Sequence, residues 1–279
     1  VMDIKIIDSL RCPVSGSKLS LHDSKEGKNG RILSGKLISK KSGNTYLIEN
    51  YILRFVPASN YADNFGMQWN RFSKTQLDSH SGIPISSNRF WKATGWKPQS
   101  LKDQWVLDIG CGSGRFAEVA LEAGAHVVAL DYSTAVDACW ENLGHHERLH
   151  VVQGDIFSLP FKQGMFGYIY CLGVLQHTPN VESAFKSLPR VLSAGGSIAV
   201  DFYWRRIRTL FNIKYALRPF TRRLDQKKLF DLLERSIPTL LKASNFSRSI
   251  PLLGRMLQRL VPVANYNGIY PLTPTQQEE

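Results

Sequence analysis

Val106-Leu107-Asp108-Ile109-Gly110-Cys111-Gly112-Ser113-Gly114-Arg115 joins a short apolar run to a glycine-rich turn and then to a helical pattern. Glycines between a buried strand and a helix let the backbone approach a ligand and aim helix N–H groups at an anion. The spacing is Gly-x-Gly-x-Gly. A dinucleotide fingerprint needs Gly-x-Gly-x-x-Gly, and its third glycine would fall at Arg115. Downstream the texture alternates. Gly114 to Ala123 has helical spacing, with Phe116, Val119, Ala120 and Ala123 on one face. Residues 126–131, 149–155, 166–172 and 197–202 read as further strands, and 134–143 and 181–192 as helices. Strands alternating with helices of about ten residues predict an α/β fold, a Rossmann-like doubly wound parallel sheet over residues 105–203.

Three more positions lie where such a sheet binds ligands, beyond the carboxyl ends of its strands. Asp131 ends the second strand, 17 residues past Gly114, where a carboxylate can accept hydrogen bonds from both hydroxyls of a ribose. Gly154-Asp155-Ile156 ends the third, where an acid and a backbone N–H can read a base edge. Leu172-Gly173-Val174-Leu175-Gln176-His177 follows the fourth on the same edge.

Taken in order, Val106 to Gly114, Leu130-Asp131-Tyr132-Ser133, Gly154 to Phe161 and Gly173 to Pro179 resemble the class I S-adenosylmethionine-dependent methyltransferases, most closely their small-molecule-type subgroup. The resemblance spans about residues 100–203. It implies S-adenosyl-L-methionine as methyl donor, with S-adenosyl-L-homocysteine as product. It further implies the methionine end of the cofactor at Asp108, Gly110, Gly112 and Gly114, with Cys111 beside it in the loop. Ribose would lie at Asp131, the adenine between Tyr132 and Ile156 with Asp155 at its amine, and Leu172 on the same edge.

Glycines could serve tight packing alone, but three in five residues followed by two strand-end acids argue for a ligand. Cys111 reads as a small packing residue rather than a nucleophile. Cys171 lacks the preceding proline that a cytosine-C5 enzyme needs, and no Asp/Asn-Pro-Pro-aromatic motif follows the fourth strand, so DNA base methylation is disfavoured and DNA is not an expected partner. His177 is the candidate base, since a neutral imidazole there can take a proton from a hydroxyl or an activated carbon. The alternative is a histidine that hydrogen-bonds backbone and shapes the loop.

Residues 1–57 read as a small β-rich module, with β-like bursts at 31–33, 36–38 and 45–48. Leu10-Arg11-Cys12-Pro13-Val14-Ser15 looks like the first knuckle of a zinc ribbon similar to the Trm112-like domain, but Ser15 replaces the second cysteine. Lys41-Ser42-Gly43 stands where another pair is expected. The expectation is a degenerate ribbon that folds with no metal. Residues 58–104 form an aromatic linker, and its Asn64 to Phe72 stretch is a candidate lid over the cofactor through Gln68 and Trp69. Residues 204–279 read as a basic helical extension, broken at Pro219, Pro238 and Pro251, that brings Arg205, Arg206, Arg208 and Lys214 to the rim of an acceptor site. The family's final antiparallel strand pair is not found before Glu279, and Val1 stands ahead of Met2, so the extension is expected to be truncated.

Composition sets the frame. The 279 residues are 43% hydrophobic and 21% charged, which suits a globular chain and excludes wholesale disorder. Four scattered cysteines make no disulfide framework, no apolar run is long enough for a membrane span, and no secretory signal opens the chain. The expected location is the cytoplasm. The net charge of +12 is uneven: residues 1–60 carry +5, 61–201 carry −2 and 202–279 carry +9. Basic ends favour an anionic partner, whether nucleic acid, membrane surface or phosphorylated substrate. The expected function is methyl transfer to a small anionic metabolite. The alternatives are an RNA methyltransferase, acting on ribosomal or transfer RNA, and a catalytically impaired module that only binds the cofactor. An NAD-dependent oxidoreductase is disfavoured by the glycine spacing. Oligomeric state is not legible.

Overall fold

A computed structural model describes residues 4–57, 60–202, 213–221, 223–250, 254–257, 260–263, 265, 269–270 and 272. Arg205, Arg206, Arg208, Pro251, the side chain of Lys214 and the 273–279 tail lie outside the described residues. The chain divides into two compact units, Val1–Tyr203 and Trp204–Glu279.

The first unit opens with a helical turn, α1 (Ile4–Ile7), and four strands, β1 (Leu19–Glu26), β2 (Ile32–Ser39), β3 (Thr45–Glu49) and β4 (Ile52–Arg54). Four short helices follow: α2 (Asp63–Arg71), α3 (Asp78–Ser81), α4 (Ile85–Thr94) and α5 (Pro98–Leu101). Then come β5 (Trp105–Ile109), α6 (Arg115–Glu122), β6 (His126–Asp131), α7 (Ala135–Leu143), β7 (Leu149–Gln153), β8 (Phe166–Cys171), α8 (Val181–Ser187) and β9 (Leu192–Val200).

All nine strands share one sheet in the order β1-β2-β3-β4-β7-β6-β5-β8-β9. The first four pair antiparallel, and every pairing from β4 to β9 is parallel. The chain moves outward from β5 through β6 to β7, then returns to place β8 on the other flank of β5. That reversal is the switch point where a crevice opens beyond the strand ends. Val127, Val128, Ala129 and Leu130 of β6 are at most 1% exposed, as a central strand covered on both faces requires. Full burial of each Val or Leu contributes about 1.5–3 kcal/mol. Alternate residues feed opposite cores. Leu107, Ile109, Val128 and Leu130 pack toward Leu10, Leu188 and Val191, while Val106, Val127 and Ala129 pack toward Phe90, Phe116, Val136 and Tyr170.

Among the described residues the sheet thus has nine strands rather than five, because the N-terminal strands extend it. Leu53 pairs with Val152 and Arg54 with Gln153. The Arg54 guanidinium donates to Gln153 Oε1 (2.7 Å) and Asp137 Oδ1 (2.6 Å). Arg31 donates to the carbonyls of Gly144 (2.6 Å) and His146 (2.5 Å) and lies 5.1 Å from the Trp140 ring centre. At the β1–β2 end, Cys12 Sγ accepts from the Ser15 N–H (3.4 Å) and lies 3.2 Å from the Tyr46 hydroxyl and 3.5 Å from that of Ser42. Ser39 Oγ lies 3.2 Å from Ser15 Oγ and accepts from Ser42 Oγ at 2.9 Å.

Two element bounds differ from the sequence reading. The helix expected over 181–192 stops at Ser187 and gives way to a 3-10 turn, Leu188–Val191, since Pro189 has no N–H to continue the helical ladder. The last strand starts at Leu192 rather than 197. Its early part bulges, with Phe166 facing Leu192 and Tyr168 facing Ser197, and Gly195 at φ 75° breaks the apolar pattern that would have announced it.

The second unit contains α9 (Ile213–Thr221), α10 (Gln226–Arg248) and α11 (Gly254–Leu257). Pro219 and Pro238 sit inside α9 and α10 instead of ending helices. Pro219 falls in the last turn. Pro238, whose interior position costs about 3 kcal/mol, is carried by a long helix that Asp225 caps and whose Leu241 and Ser244 are buried.

Candidate functional site

A cavity of about 380 Å³ opens at the carboxyl ends of β5, β6, β7 and β8. Its floor is the turn between β5 and α6. Gly110 has φ 76°, and a Cβ there would stand 2.3 Å from Val174 Cγ2, so only glycine fits. The N–H groups of Gly110 and Cys111 both donate to the Leu130 carbonyl, at 2.7 and 3.1 Å. The Gly112 N–H donates to Asp131 Oδ2 (3.0 Å), while Asp131 Oδ1 accepts from the Ser133 N–H (2.8 Å) and hydroxyl (2.7 Å). Asp131 therefore holds the turn in shape and lines the cavity. Burial raises its carboxyl above the ordinary range, against the hydrogen bonds from Ser133 and Gly112.

The helix α2 closes one side with Phe65, Gln68 and Trp69. Its fit is set by small residues: a Cβ on Gly66 would lie 2.3 Å from Thr134 Oγ1, and Asn70 Nδ2 donates to the Thr134 carbonyl (3.0 Å). The Trp69 ring comes within 3.3 Å of where a Gly112 Cβ would stand. Tyr61 stacks on Tyr132, ring centres 4.7 Å apart and planes 24° from parallel. Phe65 meets His177 edge-on at 5.3 Å. Burial lowers the imidazole of His177 below its ordinary value.

Of the thirteen residues the sequence nominates, ten line this cavity: Gln68, Trp69, Gly110, Cys111, Gly112, Asp131, Tyr132, Ile156, Leu172 and His177. Three stand outside its wall. Gly114 caps α6 at φ 98° and abuts α7, where a Cβ would lie 2.6 Å from Leu143 Cδ1. Asp155 turns its carboxylate back to accept the Phe157 N–H (2.9 Å). Asp108 is 2% exposed within β5 beside Tyr170, and burial pushes its carboxyl well above the ordinary range.

The sequence reading passed over two arginines. Arg115, noticed only as an interruption of the glycine spacing, lines the cavity with its guanidinium donating to Ser86 Oγ (2.9 Å) and Gln76 Oε1 (3.0 Å). Arg89 of α4 pairs with Asp201 (2.9 Å), whose other oxygen accepts the Gly173 N–H. Both guanidinium carbons sit over the Phe116 ring, at 4.9 and 5.5 Å from its centre. No sequence spacing links these two residues, because α4 reaches the site from outside the strand–helix repeat. Among the described residues, no group of three or more His, Cys, Asp or Glu side chains is placed to hold a metal.

Residues 107–200 match the family model described as a methyltransferase domain. The chain is 35% identical over 100 residues to a sterol 24-C-methyltransferase of Gibberella zeae, covering 34% of this chain and 26% of that protein. It is 33% identical over 113 residues to a demethylmenaquinone methyltransferase of Staphylococcus haemolyticus, covering 37% and 47%. Among solved structures, an S-adenosylmethionine-dependent methyltransferase of Aquifex aeolicus aligns over 51% of this chain and 76% of its own, with 16% identity and a TM-score of 0.40. The chain spans about a quarter to a half of the length of these two curated relatives. Residues 107–200 are a class I methyltransferase domain of the S-adenosylmethionine-dependent kind.

Proposed function

We propose that this chain transfers a methyl group from S-adenosylmethionine to a small acceptor bearing an anionic group. The observation that carries the reading is one cavity lined both by the glycine turn with Asp131 and by His177, Arg89 and Arg115. Its volume falls in the range of small-molecule sites. The donor set fits the cofactor: a carboxylate for ribose hydroxyls at Asp131, a flat apolar wall from the Tyr61–Tyr132 stack and Ile156, and the Gly110 and Gly112 backbone at the wall with no Cβ in the way. When bound, S-adenosylmethionine supplies a methyl group activated by a sulfonium.

The remaining chemistry belongs to the chain. Phe65 and Trp69 exclude water from the cavity, which strengthens every charge interaction inside. Arg89 and Arg115, fixed over Phe116, orient an acceptor through a carboxylate or phosphate. His177, whose imidazole partial desolvation lowers below its ordinary value, takes the proton the acceptor gives up. The names of the two curated relatives give a sterol and demethylmenaquinone as acceptors, which favours a small molecule over RNA. We also read residues 1–57 as a degenerate ribbon. Cys12 and Ser15 keep one knuckle's spacing and Ser39 and Ser42 the other's, and hydroxyl contacts knit the four positions together.

Calorimetry tests the reading. S-adenosylhomocysteine should bind and NAD should give no heat, and Asp131→Ala should weaken binding by about 1–3 kcal/mol through lost charged hydrogen bonds. Heat from NAD alone, or unchanged affinity in the variant, would overturn it. Label passing from the cofactor into RNA rather than into a metabolite pool would overturn the acceptor class.

A further inference from the structure

The helix α10 carries a stripe that pairs cations with exposed apolar side chains. At 3.6 residues per turn, Lys228, Leu232, Arg235, Thr239, Lys242 and Phe246 fall within about 80° of one another. All six are exposed, Leu232 by 54% and Phe246 by 73%. The opposite side holds Ile237 together with the buried Leu241 and Ser244. The three cations recur every seven residues along a helix of about 34 Å; Asp231 borders the stripe about 20° beyond Lys242, and Glu234 lies farther round. The segment before it repeats the pairing, with Leu217, Phe220 and Leu224 exposed beside Arg218 and Arg223.

We propose that this stripe is a docking surface for an anionic lipid bilayer, with α10 lying in the interface plane. Lys228, Arg235 and Lys242 would meet headgroup phosphates while Leu232 and Phe246, on the same face, reach past them toward the acyl boundary. Charge complementarity selects this occupant. A second copy of the same face would set cation against cation. An RNA backbone would satisfy the cations but leave Leu232 and Phe246 in water. Among the described residues no helix is long and apolar enough to cross a membrane, so the contact is with a surface. The inference is independent of the methyl acceptor.

The test is co-sedimentation of the full chain with vesicles of equal parts phosphatidylglycerol and phosphatidylcholine, and with phosphatidylcholine alone. Binding should be confined to the anionic vesicles and should fall with salt. Each cation near such a surface contributes about fivefold, so Lys228→Gln, Arg235→Gln and Lys242→Gln together should lower partitioning roughly 100-fold. Because all three are exposed, the helix content of the variant should match the parent by circular dichroism. As a second readout, Phe246→Trp should add an emission that shifts to the blue on anionic vesicles. Equal binding to both vesicle types, undiminished binding of the triple variant, no blue shift from the Phe246→Trp variant, or binding of RNA without binding of vesicles would overturn the proposal.

Discussion

Gly110→Ala tests whether the turn beneath the cavity is held by one close contact. Two costs are separable in the structure. The residue sits at φ 76°, where an L-residue loses about 1–2 kcal/mol. The new Cβ would also stand 2.3 and 2.7 Å from the two methyls of Val174. Valine is stiff about χ1, so it cannot turn both methyls away, and overpacking of this kind costs about 1–3 kcal/mol. The single variant should therefore lose roughly 2–5 kcal/mol. Val174→Ala removes both methyls and, in a half-exposed position, should cost only about 1 kcal/mol by itself. Combined, the steric cost largely vanishes while the backbone cost stays, so the double variant should lose at least about 1 kcal/mol less than the two singles summed. Urea unfolding followed by tryptophan fluorescence reads this, since five of the six tryptophans lie within Val1–Tyr203. Single variants that add within about 0.5 kcal/mol would refute the contact as the reason for glycine.

Two further outcomes are expected. Burial pushes the Cys12 thiol up, but hydrogen bonds involving Ser15, Ser42 and Tyr46 outweigh it and bring the pKa from 9.0 to about 6; because the folded value is the lower one, this stabilisation is complete above about pH 9 and disappears as pH falls through 6. Cys12→Ser should flatten that part of the stability–pH curve, and a thiolate absorbance that titrates near 9 would contradict the cluster. For His177, a pKa lowered by burial places the loss of its neutral form below its ordinary 6.5, so kcat/KM should decline only in more acidic solution. His177→Gln should cost about 10²–10⁴ in rate and remove that limb, whereas a variant that keeps both rate and profile would make His177 a loop-shaping residue.

The parallel strands and the positions of Gly110, Asp131 and Leu172 were readable because buried strands advertise themselves as apolar runs and their ends fix the edge where ligands gather. What stayed hidden was set by long-range packing. The join of β4 to β7 rests on only two register pairs, Leu53 with Val152 and Arg54 with Gln153, and on side chains such as Arg31 reaching carbonyls more than a hundred residues away. Asp155 carries the right residue type at the right strand end, yet a local N-cap claims its carboxylate. Arg89 reaches the cavity because α4 folds back onto α6, whereas Arg115 opens α6 directly after the glycine turn. Prolines misled in the opposite direction at 219 and 238, where the helix context overrode the local penalty.

These joins give the N-terminal strands a part in the site. Phe55 N–H donates to the Gln153 carbonyl (2.8 Å), continuing the β4–β7 pairing past Arg54. Gln153 Nε2 in turn donates to the Tyr132 carbonyl (3.3 Å), which also accepts from Asn60 Nδ2 (2.9 Å). Asn60 itself lies three residues before α2, and its Oδ1 accepts the N–H of Ala62, the residue that caps that helix (2.9 Å). The backbone of Tyr132 is thus fixed from β7 and from the entry to α2 together. Extending the sheet by β4 sets where the chain leaves for α2, and hence where Phe65 and Trp69 come down on the glycine turn. The helix α2 is registered by hydrogen bonds to the same strand ends that form the cavity, so the N-terminal strands shape the site without contributing a side chain to its wall.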